Sequence, residues 1–484
     1  MANTGIGVNQ GAPTSFVANN ELNYLTSSDL INVYAKASPD VRQQLVEPFG
    51  DENLGIMDLL EDLGQVEEAV FGNEYNHFEQ GRLKELVKAD GNGTDNSTTV
   101  TFTATNTRAI PFNSQSWYDN TSSSTKVNVQ EGDTLWIPRS GGDAYECQVT
   151  GVSGTTVTIV PAKLYGANLA ADTAAIAAAI TNSTEMFIGG NAFAEGSGQP
   201  SSREVRTYKY TNYVQTFKST YEINGASLGQ QAFITMPNGS KYWYVQGIMN
   251  TRRFHRNQIE AAFLAGNQIS TTSSTLDNTF KTEGLIPAMQ ANGNTEGYTA
   301  GSLSLTDIDS MIAKLKKFRG ASENLLVGAN EFITGVDDII RTSEGMKAGG
   351  IQYAGIGGED RGVRFGFDHF IRSGVTFHYK SLQAFDDPDS FGATNSSFAK
   401  LGLVIPTGNT TSYNYGRQVT SVPTMRMVYL SVDGESNGYK EWVTGSAGAV
   451  STNQTDAQQI NMRDRKGFEV FGLGRFGIFD SNIA

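Results

Sequence analysis

Cysteine is almost missing from this chain: Cys147 is the only one in 484 residues. No internal disulfide can form, so the fold owes nothing to an oxidising compartment. Histidine is nearly as rare. His77, His255, His369 and His378 make no HExxH or His-x-His pair, and no P-loop appears. Charged residues are sparse at 18%, and their balance is acidic, with a net charge of −14. A dedicated nucleic-acid binder would show a basic stripe or a high pI. No apolar run approaches ~18 residues, and no basic segment followed by an apolar one opens the chain. Neither membrane spanning nor signal-peptide secretion is therefore expected. No cofactor or metal is expected either. Asp90, Asn92 and Asp95 lack the spacing and the final Glu of a calcium loop. Asp386, Asp387 and Asp389 share a Pro-containing loop, which suits a surface turn better than a matched acid/base pair.

What is abundant is glycine, 53 residues of it, with many Asn, Ser and Thr. That composition suits β-structure and loops, and the length allows two to four domains. The chain is organised around residues 241–266, which read as one long helix. Ser240 is its cap, Gly266-Asn267 its stop, and Val245, Ile248, Met249, Ile259, Ala262 and Phe263 recur at helical spacing. At ~1.5 Å per residue this rod is on the order of 39 Å long. Its waist is basic, with Arg252, Arg253 and Arg256 around His255. Just upstream, residues 203–223 carry almost no turn signal and are rich in Thr, Tyr, Val and Phe, so they read as strand. Tyr213, Phe217, Tyr221 and Ile223 share one parity. A strand of about 21 residues is several times the ~5–6 residue mean and would overhang an ordinary core. It suits an arm laid on a neighbouring subunit, with Tyr213, Phe217 and Tyr221 as contact residues.

Several runs together resemble a known family. Asn212-Tyr213-Val214-Gln215-Thr216-Phe217, then Ile223-Asn224-Gly225, then a helix with Arg252-Arg253 that ends Ile259-Glu260-Ala261-Ala262-Phe263-Leu264-Ala265-Gly266, are similar to major capsid proteins of tailed phages. Upstream, Glu74-Tyr75-Asn76-His77-Phe78-Glu79 resembles the first extended-loop strand of that family, and Ala194-Glu195-Gly196 a junction before the second. The long chain with an inserted β-module further resembles the crAss-like phage branch. The resemblance implies an α+β chain of the Hong Kong 97-type fold: N-terminal arm, extended loop, spine helix, and peripheral and axial domains. It also implies self-assembly into an icosahedral shell of hexamers and pentamers around double-stranded DNA. Portal, auxiliary or decoration proteins would be further partners, with the shell assembled in the host bacterial cytoplasm.

Taken in order, residues 1–50 are expected to form the N-terminal arm, with helices near Ser28–Lys36 and after Pro39 and a tail held by adjacent subunits. Residues 51–88 start the peripheral domain and the first extended-loop strand. Residues 89–190 hold a small inserted β-barrel with an Ala-rich helix at 168–181. Residues 191–236 form the second extended-loop strand, 237–267 the spine, 268–420 the axial domain and 421–484 the return to the peripheral domain. Thr306 and Asp309 approximate a capping box for a helix at 307–319. Residues 345–362 are a Gly-rich tip, 463–466 (RDRK) a solvated basic turn, and 467–479 one closing strand. For Arg252, Arg253 and Arg256 two roles compete, ion pairing with acids of a neighbouring arm or proximity to packaged DNA; ion pairing is favoured. The competing overall reading is a β-rich surface adhesin or carbohydrate-binding protein, which the small barrel supports and the long central helix opposes.

Overall fold

The computed structural model describes residues 54–62, 67–80, 87–105, 129–139, 143–200, 207–229, 242–270, 279–299, 302–343, 369–392, 397–413, 419–432, 435–436, 438–447 and 451–481. The expected N-terminal arm with its two helices, most of the strand expected at 126–129 and the Gly-rich tip lie outside these residues. The described chain forms two compact units. The smaller takes Tyr221–Arg252 and Val443–Ile460, the larger the remainder.

In the larger unit the chain enters through helix α1 (Ile56–Asp62), strand β1 (Glu67–Val70) and strand β2 (Glu74–Gln80). A separate barrel follows: β3 (Val87–Ala89), β4 (Val100–Thr105), β5 (Asp133–Pro138), β6 (Ala144–Ser153), β7 (Thr156–Pro161), helix α2 (Leu169–Ala179) and β8 (Glu185–Asn191). Its strand order β3-β8-β5-β6-β7-β4 closes through β3–β4 pairing, so no long edge is left open. Strict alternation fills the interior: Leu135 and Ile137, Tyr145, Cys147 and Val149, Val157 and Ile159 all point inward. Helix α2 plugs the barrel with Ile176 and Ala177, and its first turn is capped by Asn168, whose Oδ1 accepts the Ala171 N–H at 2.9 Å. Cys147 is fully buried among these side chains, and burial, with Glu146 beside it, pushes its thiol up to about 12.

The chain leaves the barrel as β9 (Thr207–Tyr213), then β10 (Gln215–Asn224), then helix α3 (Tyr242–Ala265). The run expected as one continuous arm is therefore two strands. Val214 is where it breaks: its N–H donates to Asn73 O at 2.7 Å, and its side chain is buried with Tyr75, Val428 and Leu430. Only β9 belongs to the extended ribbon. The upstream counterpart also divides, because β1 joins a sheet and only β2 joins the ribbon.

Downstream come α4 (Leu285–Asn292), β11 (Asn294–Gly297), α5 (Leu305–Lys317), β12 (Glu323–Gly328), α6 (Asn330–Ser343), β13 (His369–Arg372), β14 (Val375–Ser381) and β15 (Leu401–Pro406). The last strands are β16 (Met425–Val432), β17 (Lys440–Gly445), β18 (Ala457–Val470) and β19 (Gly477–Asp480). The capping box of α5 is Ser304 with Asp307, two residues earlier than the sequence suggested. The first sheet runs β1-β16-β18-β10, with β17 beside β18. The second runs β11-β19-β15-β12-β14-β13.

Every residue of β15 is buried, because that second sheet is covered on both faces. Leu401, Leu403 and Ile405 join a core with α1, α4 and the C-terminal half of α3. Val404, one register step away, joins a different core with Ile308, Met311 and Leu315 of α5 and Phe332 and Val336 of α6. Leu326 and Val327 divide between the two cores in the same way. The expected closing strand 467–479 does not hold as one piece. Gly472 turns the chain at φ +69°, and β19 then enters the second sheet between β11 and β15, not the first sheet to which β18 belongs. Each apolar side chain so buried contributes on the order of 1.5–3 kcal/mol. Ribbon, long helix, sheet packed on that helix through Phe263 against Phe468 at 5.5 Å, and a second α/β layer: this is the element order that the Hong Kong 97-type resemblance implies.

In the smaller unit Tyr221 packs beside Tyr244 at 6.1 Å, and its ring covers Gly247 of the helix, where a Cβ would meet it at 2.5 Å. Gly445 turns the chain at φ +130° close under the Ala457 carbonyl, and the turn is tied by Thr452, whose N–H donates to Gly445 O at 2.9 Å.

Candidate assembly site at the ribbon base

Strands β2 and β9 pair antiparallel along their whole length, from Glu74↔Tyr213 to Gln80↔Thr207. Among the described residues no third strand joins them. Alternation along β2 sends Tyr75 inward and leaves Asn76, Phe78 and Gln80 outward, with Phe78 55% exposed.

The base of the ribbon is fixed by buried polar groups. Asn212 Nδ2 donates to Phe468 O at 2.7 Å, and its Oδ1 accepts the N–H groups of Tyr213 and Glu283 at 2.8 and 2.9 Å. Tyr75 Oη donates to the same Phe468 carbonyl at 2.7 Å, and burial raises its pKa well above the ordinary phenol value, so it stays a donor. His77 Nδ1 lies 2.9 Å from Glu469 Oε1, and its Nε2 lies 3.6 Å from Glu79. Its ring stacks on Tyr210 at 5.0 Å and meets the edge of Phe471 at 4.8 Å. Burial by itself would lower the pKa of His77, but the bonds to Glu469 and Glu79 outweigh it and hold it at about 9. Burial pulls Glu469 the other way, and His77 with Arg426 overcomes that pull and keeps its pKa low. Arg426 Nε donates to Glu469 Oε2 at 2.6 Å, reaches Glu68 and lies 4.7 Å above the Phe471 ring. The result is an ionised cluster between ribbon strand β2 and sheet strands β16 and β18. Beside it is a cavity of about 30 Å³, lined by His77, Tyr210, Asn212, Glu283, Asn292 and Glu469. At ~10–15 Å³ per molecule it has room for about two waters, too little for a substrate.

The waist of α3 is a second anchor. Arg256 bonds Glu260 at 2.7 Å and Asp58 at 2.9 Å, tying the helix to α1. His255 is 3% exposed; its Nδ1 lies 2.8 Å from Ser219 Oγ and its Nε2 3.3 Å from Asp464 Oδ2. The composition is that of a hydrolase triad, but the ring nitrogens are used in the reverse order and the histidine is sealed. The array ties α3 to β10 and β18. Gly225–Gly229 spells G-x-S-x-G, yet it forms a five-residue helix in which Ser227 N–H is bound by Asn224. All four histidines are engaged elsewhere, His369 and His378 with each other at 5.6 Å. Asp386, read from sequence as part of a surface turn, accepts the Asn330 N–H at 2.8 Å and so holds the start of α6. Among the described residues no three His, Cys, Asp or Glu side chains are placed to hold a metal ion.

The expected contact residues separate. Phe217 is 6% exposed and sits in the chain's own core with Ile259, Phe263 and Phe468, so it has no surface to offer a neighbour. Tyr213 is half-buried and stacks on Phe280 at 5.6 Å. Tyr221 is half-buried over the helix. Arg252 and Arg253 are exposed, and Arg256 is half-buried and ion-paired to Glu260 and Asp58. The RDRK run is no turn. It lies inside β18, with Asp464 buried and Arg463 5.8 Å from the Trp442 ring. Sequence reasoning missed Phe78, Asn212 and the His77–Glu469 pair. A signal existed for the first, a lone Phe on the polar parity of EYNHFEQ. The Glu469 partner is 392 residues away and left none.

A family model described as SU10 major capsid protein matches residues 79–347, more than half of the chain and including ribbon strand β9 and the spine. This chain belongs to that family. It is a major capsid protein, a structural component of the virion shell, and the reading as a free-standing adhesin is set aside. Solved structures similar to this capsid protein include one from Microbacterium phage Oxtober96, at 9% identity and TM-score 0.41, covering 94% of this chain and 99% of that one. A chain from Mycobacterium phage Bobi matches at 9% identity and TM-score 0.39, covering 93% and 97%. The capsid of Myoviridae Phage XM1 matches at 10% identity and TM-score 0.38, covering 94% and 98%. No curated protein matches the capsid protein's sequence, and the assignment rests on the family model.

Proposed function

We propose that copies of this capsid protein form hexamers and pentamers that close into an icosahedral shell around double-stranded DNA, with the β2/β9 ribbon lying on a neighbouring subunit. One observation carries this reading. The ribbon is anchored at its base by buried ions yet shows Phe78 to solvent along a pair of strands with no third partner among the described residues. Fixed at one end, with the outer edge of each strand unpaired by any strand among the described residues, it suits a strap laid over a neighbouring copy. Interfaces of the usual size bury about 1,200–2,000 Å², so several per subunit make disassembly slow, and rotational symmetry closes them. Tyr213, at the foot of the ribbon, and Tyr221 supply secondary contacts. Net charge −14 suits a wall that does not bind its contents. Portal and auxiliary or decoration proteins complete the head, which assembles in the host bacterial cytoplasm. The test is Phe78→Ser, followed by sedimentation and electron microscopy. Soluble capsomers with few closed particles are expected; normal closed particles would remove the ribbon from the mechanism.

A further inference from the structure

Alternation on β5, β6 and β8 turns one set of residues outward, and three aromatic rings gather there. Trp136 has Phe187 as its register partner on β8 and Glu146 on β6. Trp136 is 47% exposed, Phe187 46% and Phe193 43%. The barrel interior is filled by other side chains, Phe102, Leu135, Ile137 and Ile159 among them, so these rings add nothing to it. Their seats are specific. A Cβ at Gly189 would meet Trp136 Nε1 at 2.4 Å, so the indole lies against bare backbone there. A Cβ at Gly132 would meet the Phe193 ring at 2.3 Å. Gly132 lies in the turn just before β5, four residues before Trp136. Thr134 and Gln148 pair across the strands between those positions, and Gln148 Nε2 donates to Ala192 O at 2.6 Å.

We propose that this face is a binding site for an uncharged or amino-bearing oligosaccharide. A pyranose ring presents C–H groups that stack on the electron-rich face of an aromatic ring, while its hydroxyls need donors and acceptors at the rim. Glu146, Gln148 and Thr134 supply those. Charge selects among the ligands that stack. The outward positions of β5, β6 and β8 carry Glu146 and Glu185 and no Lys or Arg. Nucleic-acid bases also stack on aromatics, but their phosphates need a positive groove, and sulfated or sialylated glycans meet the same repulsion. The exposed rings sum to on the order of 300 Å², well short of the ~800 Å² per partner of a stable protein interface.

The test uses the purified full-length protein as assembled particles, titrated with maltohexaose, mannohexaose, chitohexaose, a heparin hexasaccharide and a twelve-residue oligothymidylate. The expected result is binding of at least one of the first three, with a change in tryptophan fluorescence. Affinity should drop tenfold or more in Trp136→Ala and in Phe193→Ala, at opposite ends of the face, and stay within twofold in Trp442→Ala. Circular dichroism checks that each variant keeps its fold. The proposal is overturned if none of the neutral sugars binds, if only heparin or oligothymidylate binds, or if both Ala variants bind as the parent does. Loss of particle assembly in Trp136→Ala with no sugar binding by the parent would assign the face to a second copy of the chain instead.

Discussion

At the scale of single residues, the ribbon base concentrates charge where water is scarce. Glu469 has only 4% of its side chain exposed and accepts from both His77 and Arg426. Replacing it by Gln leaves two cations without their shared counter-charge. Removing one partner of such a buried pair costs about 3–5 kcal/mol, so Glu469→Gln should lower the melting temperature of the soluble protein by several degrees in calorimetry. His77 adds a pH dependence whose sign follows from its raised pKa. Folded, it holds its proton up to about 9, against an ordinary 6.5. Its contribution is therefore complete below pH 6.5 and is lost as pH rises through about 9. Melting temperatures taken from pH 6 to pH 10 should show this fall in the parent and not in His77→Gln. Equal slopes for the two would assign the fall to other groups.

At the scale of elements, β10 shows what alternation reveals and what it conceals. Its parity was legible: Phe217 and Ile223 are both buried, as the spacing predicts. Which surface buries Phe217 was not, because its partners Ile259, Phe263 and Phe468 come from α3 and β18, distant in sequence. Phe217→Ala should consequently cost the fold about 3–5 kcal/mol, seen as a lower unfolding midpoint in urea. Tyr221→Ser should change that midpoint little and act on particle yield instead. Helix α3 was legible almost to the residue, since its apolar periodicity and its terminal Gly266 are local signals. The spine waist was half legible. The basic cluster announced itself, and Glu260, four residues after Arg256 on the same helix, is a local signal, but Asp58 and Asp464, which help decide where Arg256 and His255 point, are distant in sequence and left none. The same holds for the end of the chain. Nothing local says that β19 enters a different sheet from β18, because register across a sheet is set by the partner strands.

At the scale of the whole molecule, assembly should depend on salt through exposed charge and not through the buried cluster. Arg252 and Arg253 lie exposed on the spine helix, and screening acts within about 8 Å at physiological ionic strength. Particle yield followed by light scattering from 50 to 500 mM NaCl should fall for the parent and stay level for Arg252→Ala/Arg253→Ala. A parallel fall in both would remove these two arginines from the contacts between copies. The one thiol has a different use. Cys147 is walled inside the barrel and held protonated, and the chain has no second sulfhydryl to compete with it. A maleimide added to intact particles therefore reacts only as fast as that small module breathes. The protein carries a built-in clock for local opening of its insert, one that runs while the surrounding wall stays closed.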